Sequence, residues 1–151
     1  MVLFGRDLDN LRRVQLDIRD MGGRCLYYTC DVSSRKDIYK AAELMTKDVG
    51  DPDICICNAG IGSEKGAVCA SSDDLIDKVV NCNFTSNLWM VKRFLPSMHA
   101  RGYGHFVLVS SIAGLRGFSI YGATKVGCSA SPTRTQQTRR RVLLSHLLHE
   151  S

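Results

Sequence analysis

Tyr121-Gly122-Ala123-Thr124-Lys125 sets a tyrosine and a lysine four residues apart. On a helix that spacing puts both side chains on one face. A tyrosine ordinarily titrates at about 10, too high to exchange protons readily at neutral pH. A neighbouring ammonium favours the phenolate, so the pair is a workable general acid/base for a carbonyl or an alcohol. Tyr-x-x-x-Lys is common by chance, and its meaning depends on its surroundings. Upstream, the apolar run His105–Val109 ends in Ser110-Ser111, where a hydroxyl can hydrogen-bond a substrate oxygen. Another run, Ile54–Cys57, ends in Asn58-Ala59-Gly60, and its glycine lets a flat ligand approach the backbone. A third, Cys25–Cys30, ends in Asp31-Val32, where Asp31 can accept from an adenine amino group. In open α/β sheets ligands bind outside the carboxyl ends of the strands, and all these groups sit at that edge.

The elements that must position them read as an alternation. Val2-Leu3-Phe4 is a short strand, followed by Gly5-Arg6-Asp7. Asp7 or Asp9 caps a helix on which Leu11, Val14, Ile18 and Met21 recur at helical spacing, stopped by Gly22-Gly23. After the aromatic, β-prone run Cys25–Cys30, Ser34-Arg35-Lys36-Asp37 opens a helix lined by Ile38, Ala41, Ala42, Met45 and Val49 and ended by Gly50. Ile54–Cys57, continuously apolar, predicts a strand buried on both faces. A long helix is expected over Ser72–Ala100, bent or ended early by Pro96. A buried strand follows at His105–Val109, then a helix from Tyr121 to about Ala130. Strands alternating with helices argue for right-handed crossovers and a parallel sheet with helices on both faces.

Length and composition bound the rest. The 151 residues suit one domain of ordinary globular make-up, 44% hydrophobic and 23% charged. No apolar run reaches the 18 or so residues of a membrane span, and the N-terminus has no signal-peptide pattern. The net charge of +5 is concentrated at the C-terminal end, where Arg134, Arg139, Arg140 and Arg141 face only Glu150. The body is nearly balanced, so a nucleic-acid-binding face is not expected. Seven cysteines without a secretory signal argue against a disulfide framework and for buried free thiols on strands in a reducing, intracellular compartment. No metal-ligand set is present; His146 and His149 lack a third partner. From Ser131 the texture becomes polar and unpatterned, with a weak terminal helix over Val142-Leu143-Leu144 and Leu147-Leu148. The expected organisation is one α/β domain at 1–130 and a basic tail at 131–151.

From Val2 to about Ala130 the chain resembles the short-chain dehydrogenase/reductase family. The resemblance rests on an ordered set: Cys30-Asp31-Val32, Asn58-Ala59-Gly60, Asn83, Ser110-Ser111-Ile112-Ala113-Gly114 and Tyr121-Gly122-Ala123-Thr124-Lys125. Phe94-Leu95-Pro96-Ser97-Met98, with Arg101, Gly104 and His105, is similar to the 17β-hydroxysteroid and retinol dehydrogenase branch. The resemblance implies a Rossmann-like doubly wound parallel sheet and an oxidoreductase interconverting an alcohol and a ketone or aldehyde, on a hydrophobic steroid- or retinoid-like substrate. Tyr121 would be the acid/base, and Lys125 would tune it and hold the nicotinamide ribose. Ser111 would orient the substrate oxygen. Asn83 would help hold a water relaying protons toward Lys125. Arg6, Asp31, Val32, Asn58, Ala59 and Gly60, with Tyr121 and Lys125, would bind the cofactor. Arg6, where NAD enzymes of the family usually carry an acidic residue, favours NADP(H) over NAD(H).

The resemblance also marks departures. No Gly-x-x-x-Gly-x-Gly turn precedes Val2, so the expectation is a fold lacking the first strand and the last ones. In the order 3-2-1-4-5-6 that first strand lies between Val2–Phe4 and Ile54–Cys57, which then cannot simply meet. The connection from Ser111 to Tyr121 is a few residues shorter than usual. The competing expectation is a catalytically inactive truncated form that keeps only a homodimerisation surface on the Ser72–Ala100 and Tyr121 helices. The family branch implies cytoplasmic residence, with endoplasmic reticulum or lipid-droplet association where a longer form carries an N-terminal anchor.

Overall fold

A computed structural model describes residues 1–62, 68–115, 119–130 and 141–149, with backbone alone at 115, 129, 130 and 141–149. It forms two compact units, Met1–Gly50 and Asp51–Ser151. Their strands make two separate sheets.

The first unit runs β1 (Val2–Gly5), α1 (Leu8–Asp20), β2 (Leu26–Thr29) and α2 (Arg35–Val49). The two strands pair in parallel, with Val2 opposite Leu26 and Gly5 opposite Thr29. The Asp7 carboxylate accepts from the Asn10 N–H and starts α1. Leu11 is buried, but Met21 is 79% exposed rather than part of the apolar face. It follows the last helical residue, where the chain leaves the helix axis. At α2 the Ser34 hydroxyl accepts from the Asp37 N–H at 3.3 Å and donates to the Asp37 carboxylate at 3.1 Å. Ile38, Ala41, Ala42 and Met45 are buried as their spacing predicts, whereas Val49, in the fraying last turn, is exposed.

The second unit holds β3 (Ile54–Cys57), α3 (Asp73–Val80), a π-helical turn (Asn81–Thr85), α4 (Ser86–Arg101), β4 (Tyr103–Ser111), α5 (Ile120–Ala130) and β5 (Arg141–His149). Its sheet is parallel, in the order β3-β4-β5. β1 and β3 lie in different sheets.

Four expectations need correction here. β3 is buried on one face only. Cys55 and Cys57 are covered, while Ile54 and Ile56 are 59% and 61% exposed on the other, because successive side chains point to opposite faces. Pro96 neither ends nor interrupts α4. The missing N–H is tolerated where Phe94 and Met98 anchor the helix, both essentially fully buried. The irregularity sits instead at Asn81–Thr85. The terminal apolar run is not a helix but β5, paired with β4 from Arg141 opposite Tyr103 to His149 opposite Ser111. A short isolated helix is marginal in water, whereas β4 presents a nine-residue edge of unpaired backbone groups. The thiols are also not all on strands. Cys82 lies in the π-turn, Cys128 in α5, and Cys69 is exposed. The basic stretch 131–140, with Arg134, Arg139 and Arg140, lies outside the described residues.

The turn from α4 into β4 is tight. Gly102, at φ 77, caps α4 in the left-handed region. A Cβ on Gly104 would lie 2.5–2.6 Å from Met98 Cγ, Cβ and Sδ. Gly104→Ala is therefore expected to destabilise the chain by about 1–3 kcal/mol, read as a lowered midpoint in thermal unfolding.

Candidate active site

In the second unit the sequence motifs converge on α5. Ser119 caps this helix, its hydroxyl accepting from the Gly122 N–H at 2.9 Å. The helix then passes so close to the Ile112–Leu115 turn that a Cβ on Gly122 would lie 2.8 Å from the Ala113 carbonyl oxygen. Only a glycine fits there, and this approach fixes α5 against the end of β4. Ser110, at that end, donates to the Lys125 carbonyl at 2.9 Å. Lys125 is 4% exposed; its Nζ donates to the Val109 carbonyl at 2.8 Å and lies 5.5 Å from the centroid of the Tyr121 ring. The i, i+4 pair thus shares a face, with the ammonium tethered to the strand and the half-buried Tyr121 ring beside it. Ser111 is buried, and its hydroxyl accepts from the Ala113 N–H at 3.2 Å, leaving its own proton to donate.

Asn83 is fully buried in the π-turn, an irregularity common at functional sites. Its side chain clamps the loop after β3: Oδ1 accepts from the Ile61 N–H at 2.8 Å, and Nδ2 donates to the Ile61 carbonyl at 2.9 Å. Nδ2 also lies 3.3 Å from Thr124 Oγ1, which itself donates to the Tyr121 carbonyl at 2.7 Å. Asn58, Ala59 and Gly60 are exposed in that loop. A Cβ on Gly60 would lie 3.4 Å from Asn83 Oδ1 and 3.5 Å from Lys125 Nζ. The space that glycine leaves open is therefore bordered by an ammonium and an amide.

Two buried thiols, Cys57 and Cys128, lie in the same unit. The Cys57 thiol is pushed up, first by the Cys55 side chain and then by burial. Burial also raises Cys128, partly offset by Asn87 and Lys125. Both are neutral at physiological pH.

The remaining candidate residues belong to the first unit. Arg6, Tyr28, Cys30, Asp31 and Lys40 line one cleft. Arg6 lies 3.8 Å from the Asp31 carboxylate, with side chains 57% and 36% exposed. The Asp31 Oδ1 also accepts from the Ser33 N–H and hydroxyl at 2.9 and 2.6 Å. Burial, with Asp37 and Asp31 nearby, pushes the Cys30 thiol up to about 11. Val32 is half-buried beside the cleft residues in sequence.

Residues 1–138 match the short chain dehydrogenase family. The chain belongs to that family. Its relatives put it in the retinol dehydrogenase branch. It is 46% identical to mouse epidermal retinol dehydrogenase 2 over 101 residues, 65% of this chain and 32% of the mouse protein. It is 35% identical to human short-chain dehydrogenase/reductase 3 over 115 residues, 76% of this chain and 38% of that one. The chain thus spans about a third of the length of these relatives. Among solved structures, a metagenomic short-chain oxidoreductase in complex with NADP superposes with a TM-score of 0.86 at 28% identity, over 96% of this chain and 69% of the other. An actinorhodin polyketide ketoreductase with NADPH gives 0.78 at 29% identity, over 83% and 50%. The fold is the Rossmann-like α/β fold of the short-chain dehydrogenases.

Several contributors to this side-chain cluster are hard to find in the sequence. Thr124 looks like a spacer within Tyr-x-x-x-Lys, yet it joins Asn83 to the Tyr121 turn. Asn87 and Cys128 both reach the Asn83 carbonyl, at 2.9 and 3.3 Å. A polar residue one helical turn beyond Asn83 was the available hint for Asn87; for Cys128, 45 residues away, there was none. Among the described residues no cluster of three metal-binding side chains occurs, and no helix is long and apolar enough to cross a membrane.

Proposed function

We propose that this chain carries the reacting centre of an NADP(H)-dependent oxidoreductase that interconverts an alcohol and a ketone or aldehyde, on a hydrophobic retinoid- or steroid-like substrate. The observation that carries this reading is the buried Lys125 ammonium, held beside the Tyr121 ring and bordering the open space at Gly60. The names of the relatives favour a retinoid-like substrate, and the NADP(H) bound in two similar structures favours that cofactor. Arg6 supports the phosphorylated form. Its exposed pairing with Asp31 is weak and can yield to a 2′-phosphate, which offers the guanidinium a stronger, bidentate partner.

Each unit, taken by itself, offers groups suited to part of such a cofactor. Lys125 and Gly60 suit a ribose that brings hydroxyls close to the backbone, while Arg6 and Asp31 suit a phosphorylated adenosine. The sequence holds no Gly-x-x-x-Gly-x-Gly turn for the pyrophosphate. Bound NADP(H) supplies or accepts the hydride. Tyr121 gives a proton to the substrate oxygen during reduction and takes it back during oxidation. Lys125, whose Nζ lies 5.5 Å from the centroid of the Tyr121 ring, would donate to the ribose hydroxyls. Ser111 donates its hydroxyl proton to the substrate oxygen. Asn83 fixes the Ile61 backbone, and so the Gly60 loop. The competing reading, a non-catalytic dimerisation form, has no specific observation in its favour.

Gly60→Ala separates ligand binding from folding. Its Cβ would make ordinary contacts at 3.4 and 3.5 Å, so thermal stability should change by no more than about 0.5 kcal/mol. NADPH affinity should fall on the order of ten-fold as the close approach is lost. The function itself is tested by incubating the chain with NADPH and retinal and following loss of the reduced nicotinamide. Turnover with retinal but not with a small polar aldehyde is expected; equal rates on both would remove the hydrophobic-substrate assignment.

A further inference from the structure

We propose that Asn87 is a positioning residue, which, with Cys128, holds the π-turn that aims Asn83 at the Gly60 loop. The assignment rests on the reading of Asn83 as a site residue, but its chain of contacts is independent of any ligand.

A π-turn shifts the helical hydrogen bonds from i→i+4 to i→i+5, as where the Ser86 N–H reaches the Asn81 carbonyl. The carbonyls that follow are met by side chains. The Ser86 hydroxyl donates to the Cys82 carbonyl at 2.6 Å. Asn87 Nδ2 donates to the Asn83 carbonyl at 2.9 Å, and the Cys128 thiol donates to the same oxygen at 3.3 Å. A carbonyl has two lone pairs, and both of these donors lie within hydrogen-bond reach of this one. Asn87 Nδ2 also lies 3.2 Å from Cys128 Sγ, so the three groups form one buried triangle tying α4 to α5 around the turn. Asn83, Asn87 and Cys128 are at most 6% exposed, so water does not readily substitute for a missing donor. If Asn87 lost its amide, the turn could revert to the α-helical register, which would rotate the Asn83 side chain off Ile61.

The Ile61 N–H, which donates to Asn83 Oδ1, reports on this directly through amide hydrogen exchange in the full chain. Asn87→Ala is expected to reduce Ile61 protection roughly ten-fold, the value of one buried hydrogen bond, with Phe106 and Leu108 in β4 unchanged. Asn87→Ser should restore it, because a serine can donate to the carbonyl four residues back, as Ser86 does. Asn87→Leu, which fills the space without a donor, should not. Should Asn87→Ala fail to fold, Cys128→Ala and Cys128→Ser make the same comparison on the second donor, with protection lowered by Ala and kept by Ser. Unchanged Ile61 protection, a loss shared equally by β4, or failure of serine to restore it would each overturn the proposal. NADPH titration of the unaltered chain is read separately. Absence of binding there would refute the functional reading while leaving the exchange result to decide the role of Asn87.

Discussion

Tyr121→Phe is expected to lower turnover by about 10²–10⁴-fold, the range for loss of a positioned general acid/base, with NADPH affinity nearly unchanged. The substitution removes one hydroxyl and keeps the ring that lies 5.5 Å from Lys125 Nζ, so the cation–π contact, the Ser119 cap and the Thr124 bond to the Tyr121 carbonyl all survive. A defect in turnover at constant affinity assigns the hydroxyl to the chemical step. A Phe variant that turns over like the parent would remove Tyr121 from the mechanism.

Lys125→Met should show the complementary pattern. Methionine matches the length and shape of the lysine stem but cannot donate. The Nζ–Val109 hydrogen bond is lost, at a cost of about 0.5–1.5 kcal/mol, and a buried cation is removed, which offsets part of that cost. The fold should therefore persist with a modest change in unfolding midpoint. NADPH binding should weaken roughly ten- to hundred-fold, as for loss of a charged hydrogen bond worth about 1.5–3 kcal/mol, and turnover should fall further because Tyr121 loses the ammonium beside it. Calorimetric titration with NADPH measures the first effect. Wild-type affinity in the Met variant would contradict the ribose-binding role.

What could be read in the sequence is what local chemistry determines. The caps at Asp7 and Ser34 were legible because a short polar side chain satisfies a helix's first N–H groups. The Tyr121–Lys125 pairing was legible because the helical repeat alone brings the two residues together. β5 was not, since a short apolar run fits either a helix or a strand and the choice was made by the free edge of β4, some forty positions away in register. The π-turn was hidden for a related reason. Its hydrogen bonds depend on Ser86, Asn87 and Cys128 capturing carbonyls, and only the first two lie near it in sequence. The one-sided burial of β3 also escaped a pattern read by composition, since four consecutive apolar residues carry no alternation to reveal an open face.

These residues are expected to bind a nicotinamide dinucleotide phosphate. Thermal unfolding of the purified chain, with and without NADPH at about a hundred times its dissociation constant, tests that claim most directly. Binding to the folded state alone should add about 2.7 kcal/mol of stability and raise the midpoint by roughly 5–10 °C, and NADH at equal concentration should raise it less. An unchanged midpoint up to millimolar NADPH would contradict the account.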